Sequence, residues 1–171
     1  MRTELTSTHE ETIRVSAPVN EPELPSLEVM HALADPADHG QAVLVNVPVL
    51  VDGINYGDLV RLGSEDECGV RPILEVVVPS GHVHFLAASE PGEVLDLAAE
   101  LERTHPAYAL RMEAASESVL SVSVHPDVDP EDVVVTAAAW LRVDPDDLEE
   151  GPAVGAPCAS EAGPIAGAMA G

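Results

Sequence analysis

The hydrophobic period changes once along this chain, and that change limits the folds open to it. Before residue 88 the apolar residues come in short β-branched runs separated by turn signals. Beyond residue 90 they recur first at helical spacing, then in alternation, then at helical spacing again. Ala42–Val51 reads AVLVNVPVLV, a strand that Pro48 demotes to an edge or bulged position and that ends at the turn signal Asp52-Gly53. Gly57-Asp58 opens a second run, Leu59–Leu62. A polar loop then leads to Pro72–Val78, and Pro79-Ser80-Gly81 turns the chain into His82–Ala88. Short strands joined by tight turns predict a small antiparallel barrel or a strongly bent sheet.

The second half follows other rules. Val94, Leu95, Leu97, Ala98 and Leu101 repeat at helical spacing after Pro91. Tyr108, Leu110 and Met112 alternate, as do Leu120, Val122 and Val124, which predicts a hairpin turning at Ala115–Ser118. Asp129-Pro130-Glu131-Asp132 is an N-cap and first turn for a helix running to Leu141. The predicted class is α+β: a small antiparallel strand-rich half over 27–88, then a β-α-β-β-α half over 82–142 of the split βαβ, ferredoxin-like kind. Both belong to one folded domain, 27–149. Residues 1–26, with four glutamates in the first twenty-one positions and three prolines, show little periodicity beyond Thr12–Ser16 and read as a mobile acidic arm. The Gly/Ala/Pro-rich tail 150–171 reads as disordered.

Composition excludes several functions. Thirty-one acidic residues face seven basic ones, a net charge of −24, and every basic residue is arginine. Such a field repels nucleic acid and anionic membranes, and the expected partner is a protein or a small molecule. Without lysine there is neither Schiff-base chemistry nor a P-loop, and no dinucleotide fingerprint is present, so no cofactor is expected. The polar residues 1–15, the lack of a long apolar stretch and the two isolated cysteines, Cys68 and Cys158, predict a cytoplasmic protein. Only four aromatic side chains occur, Tyr56, Phe85, Tyr108 and Trp140, so the core must be Val, Leu and Ala.

VNVPVLVDGINYGDLVRL (Val45–Leu62) and EVVVPSGHVHFLAAS (Glu75–Ser89) resemble the bacterial domain-of-unknown-function family DUF4265. The shared elements are Asn46 and Pro48; Gly53, Gly57, Asp58 and Val60; Ser80, Gly81 and His82; and the strand Leu120–Pro126. Val83-His84 and Asp52 depart from that pattern. The resemblance implies a domain over roughly 27–142 and no activity. It makes Asn46, Gly57, Asp58, Gly81 and His82 candidate binding residues.

Three constellations carry chemistry of their own. His82 and His84, two apart on a predicted strand, share a face as metal ligands would, with Asp58, His31, His39 or Cys68 as a third. The competing reading has one histidine closing the Pro79–Gly81 turn and the other half-buried in the sheet, and no metal is assigned. Asp58 beside Gly57 suits a general base, but also a turn carboxylate that accepts backbone N–H groups. Asp58, Ser80 and His82 form a conceivable triad, although Pro-Ser-Gly-His is not a hydrolase elbow. The acidic clusters at 127–132 and 144–150 lack calcium-loop spacing. The leading expectation is a binding or accessory module without catalytic activity. The alternatives are a small enzyme centred on Asp58, Ser80, His82 and His84, and a peptide precursor modified in its tail near Cys158 and Ser160.

Overall fold

The computed structural model describes residues 11–20, 23–145 and 148. Five strands close a barrel in the order β1 (Thr12–Pro18), β2 (Leu27–Ala34), β3 (Gln41–Leu44), β4 (Leu59–Leu62) and β5 (Val70–Val78). Each neighbouring pair is antiparallel except β1 and β5, which pair in parallel at Arg14–Val70 and Ser16–Pro72. A barrel this small has room only for modest side chains. Ala17, Ala32 and Ala42 accordingly point inward beside Val15, Met30, Leu44 and Val60, and all seven are buried.

Two expectations are corrected here. The arm assigned to 1–26 contains β1, which registers with β2 over seven residues, Thr12 opposite Leu33 through Pro18 opposite Leu27. Pro18 ends the strand, and on the return to β2 the Val19 N–H donates to the Ser26 carbonyl. Residues 1–10 and the tail 150–171 lie outside the described residues. The strand expected over Ala42–Val51 stops at Leu44. Beyond it, the N–H groups of Val49 and Leu50 donate to the Glu28 carboxylate and that of Val47 donates to Glu113, so side chains satisfy donors that a ladder would otherwise use. The apolar residues of this loop serve packing: Val47, Val51 and Ile54 are buried.

The second half is a three-stranded sheet backed by two helices. Strands β6 (Val83–Ala88), β7 (Leu110–Ala114) and β8 (Val119–Val124) lie in the order β6-β8-β7, with both outer strands antiparallel to β8. Helix α1 (Val94–Thr104) joins β6 to β7, and α2 (Pro130–Leu141) follows β8. At the start of α2 the Asp129 side chain accepts from the Glu131 N–H at 3.0 Å, the N-cap bond that the sequence predicts. Phe85, Leu120, Val122 and Val124 form the sheet's apolar face and pack on Leu97 and Leu101 of α1 and Val133, Ala137 and Ala138 of α2.

The opposite face of this sheet is polar and also covered. Ser121 and Ser123 alternate with the apolar residues of β8 and are fully buried, and the register sets them beside Leu86 and Glu113, and His84 and Arg111, respectively. Loop 45–58 of the barrel packs there. A polar face can be buried only if its groups find partners, and here they do, in a seam joining the two halves.

Candidate functional site

Asn46 shows how the seam is built. Its carboxamide oxygen accepts the His31 N–H of β2, and its nitrogen donates to both Glu113 oxygens on β7 at 3.0 and 2.9 Å. One side chain therefore ties the barrel to the sheet. Ser121 adds an O–H donated to the Pro48 carbonyl at 2.8 Å. The bonds to the Glu113 carboxylate, a charged partner, are worth about 1.5–3 kcal/mol each.

Asp58, 1% exposed, occupies the next turn of the seam. One carboxylate oxygen accepts the Asn55 N–H at 2.8 Å and the other the Ser80 N–H at 2.7 Å. Gly57 beside it has φ +81°, and a Cβ there would stand 3.1 Å from the Ser80 Cβ, so a side chain would be strained in backbone and crowded in space. Gly81, at φ +80°, similarly lets the chain turn against Pro126. The Ser80 hydroxyl donates to the Tyr56 carbonyl at 2.7 Å and accepts the His82 N–H. The hydrogen bonds that a Ser80–His82–Asp58 triad needs are thus made elsewhere: the carboxylate holds backbone, and the His82 ring bonds through Nδ1 to the Ser123 hydroxyl at 2.9 Å.

His82 precedes β6 and His84 lies within it. The two imidazoles take separate partners, since Nδ1 of His84 bonds the Asn55 side-chain oxygen at 2.8 Å. The turn is closed by the Ser80 hydroxyl rather than by a histidine ring, and His84 is fully buried instead of half-buried. Among the described residues, no three His, Cys, Asp or Glu side chains gather as a metal site. Of the third-ligand candidates, Asp58 is held as above and Cys68 is exposed. Nε2 of His84 is buried without a hydrogen-bond partner among the described residues. Burial holds the His84 pKa below the ordinary 6.5, with Asp52 and Asp58 opposing that effect.

Where the seam opens to solvent, a cluster appears that sequence reasoning missed. Tyr56, His82, His125 and Tyr108 stand edge-on to one another in a chain, with ring centroids 5.2, 5.3 and 5.8 Å apart. The Arg111 guanidinium lies over the Tyr56 ring, 5.7 Å from its centroid, and its Nε points at the Tyr56 hydroxyl. Both tyrosines of the protein are therefore in one place. The His82 pKa is lowered by burial first, then by His125 and Arg111, while Asp58 opposes. His125 accepts the Asp127 N–H at Nδ1, which puts its proton on Nε2. His82 was the only member with a signal in the sequence. Tyr56 and Arg111 are 55 residues apart, and no local pattern announces such a contact.

Comparison with known proteins agrees with this architecture. A crystal structure described as that of a hypothetical protein from Neisseria gonorrhoeae superposes with a TM-score of 0.59 at 16% identity, covering 79% of this chain and 92% of the other. At that identity the likeness concerns the fold. No curated protein matches the chain. The family model for a domain of unknown function, DUF4265, matches residues 28–140, which run from within β2 to within α2 and include every residue of the seam and the ring cluster. The chain is thus a member of the DUF4265 family.

Proposed function

We propose that this domain is a non-catalytic binding or accessory module of the cytoplasm, whose ligand surface is the rim formed by Tyr56, His82, Tyr108, Arg111 and His125. The observation that carries this reading is a division of labour along the seam. The groups best suited to chemistry, Asp58 and Ser80, spend their polar atoms on backbone, while the ring cluster leaves Tyr108 and Arg111 exposed. Exposed aromatic and arginine side chains held by a rigid scaffold suit binding. The charge of −24 favours a small molecule or a protein over nucleic acid or an anionic membrane. We read the sheet half as a ferredoxin-like split βαβ unit without a fourth strand, because β6 and β7 run parallel with β8 between them.

The small-enzyme reading draws on the nearness of Asp58, Ser80, His82 and His84 to one seam, and the precursor reading concerns a tail outside the described residues. The first pair is separated by a metabolite-fragment screen on the full chain, read by amide chemical shifts. Shifts confined to the rim support the module. Turnover of a compound, abolished by Ser80→Ala in a variant that keeps its fold, would establish the enzyme instead.

A further inference from the structure

We infer that the rim is a binding site for a small anion, a tetrahedral or carboxylate group of one or two charges held among Arg111, His82 and His125. This rests on the binding-module reading and names the class of ligand. Seven basic residues serve the whole chain, yet one of them stands with two histidines and both tyrosines. Arg111 donates Nη1 to the Leu110 carbonyl, which fixes the guanidinium beside the Tyr56 ring. His125 has its proton placed on Nε2, a second donor, because Nδ1 is occupied by the Asp127 N–H. His82, fixed through Nδ1 by Ser123, stands between the Tyr56 and His125 rings.

The His82 pKa is lowered first by burial and then by its neighbours His125 and Arg111. The negative groups nearby do not offset them fully. Asp58 has both oxygens on backbone N–H groups, and Asp127 lies 3.7 Å from His125 with its side chain largely in water. A bound anion would supply the missing charge and would favour protonation of His82. The protein's net charge argues against long polyanions but not against this ligand. At physiological salt the Debye length is about 8 Å, so the far surface is screened while donors in contact are not.

The test uses the full chain, with sulfate and acetate as probes, read at the His82 and His125 ring protons by NMR. Sulfate keeps its charge between pH 6 and 8, so the pH arm reports on the protein. The expected result is a saturable shift at both rings, tighter at pH 6 than at pH 8 and weakened about tenfold or more by Arg111→Gln, the loss expected for one charge-assisted bond. Arg111 is exposed, so the variant should fold, and unchanged amide shifts in the α1–α2 core check that it does. A response to sulfate alone assigns a phosphoryl-like ligand, and a response to acetate alone assigns a carboxylate. No saturable shift with either probe, or equal shifts at the His39 and His105 rings, overturns the inference. In that event, a neutral ligand mapping to the rim would still support the module, whereas turnover dependent on Ser80 would end both readings.

Discussion

The barrel and the sheet-and-helix half solve the same packing problem with different side chains. The barrel interior sets Ala17, Ala32 and Ala42 against the larger Met30, Leu44 and Leu62, because five strands closing on one another leave little width. The other half has a sheet facing two helices and fills the space between them with Phe85, Leu97, Leu101 and Leu120 beside Ala137 and Ala138 of α2. Each has its own apolar cluster, and between them lies a seam of carboxylates, amides and hydroxyls. Apolar contact tolerates sliding, whereas a carboxylate on a particular N–H does not. The two cores supply cohesion, and the seam fixes the orientation in which the rim cluster forms.

The strongest way to break the comparison is to remove β1. Deleting residues 1–18 takes a strand from between β2 and β5 and should abolish cooperative unfolding of the barrel. Hydrogen exchange should then show amides of β2 to β5 losing protection before those of β8 and α2. Uniform retention of protection would mean that the barrel does not depend on its first strand.

Packing substitutions should separate the halves at a smaller scale. Leu97→Ala leaves a cavity in the helix-backed core and should cost about 2–5 kcal/mol by denaturant unfolding. Ala32→Leu in the barrel adds volume where there is none and should cost about 1–3 kcal/mol. A barrel that accepts leucine at no cost would show its interior to be looser than its alanines imply.

The smallest expected effect belongs to the seam. His82 and His84 have pKa values lowered in the folded state, mainly by burial, so the unfolded chain binds more protons. Their contribution to stability is full above the unfolded value near 6.5 and is lost as pH falls from there through the folded values. Thermal unfolding from pH 7.5 to 5 should therefore show a decline that His84→Gln reduces. An unchanged slope in that variant would exclude His84 as a source of the decline.

Local signals in the sequence were legible and non-local ones were not. Leu59–Leu62, the hairpin turn at 115–118 and the Asp129 cap each depend on a few neighbouring residues, and the structure has all three. β1 was hidden because seven residues ending in Pro18 carry too little alternation to stand out, and one of its partners lies far along the chain. Residues 45–51 misled because apolar character there fills the space between halves instead of forming a ladder. Gly57-Asp58 announced a turn that accepts backbone N–H groups, but not that Asp58 also holds Ser80. Glu113 follows Met112 in the alternating strand and carries no motif of its own. Its true position depends on a loop nearly seventy residues earlier.

The parallel pairing of β1 with β5 also orders events during synthesis. β1 and β2 can meet as a hairpin soon after both leave the ribosome, but Arg14 must wait about 56 residues for Val70. At the usual rate of roughly 5–20 residues per second this takes about 3–11 s. Throughout that time the outer N–H and C=O groups of β1 are open to any extended chain nearby. In the finished barrel this side of β1 pairs with β5 at Arg14 to Ser16. Misassembly of this domain is consequently a hazard of its first seconds, and the acidic character of the nascent chain, which makes copies repel one another, acts during that same interval.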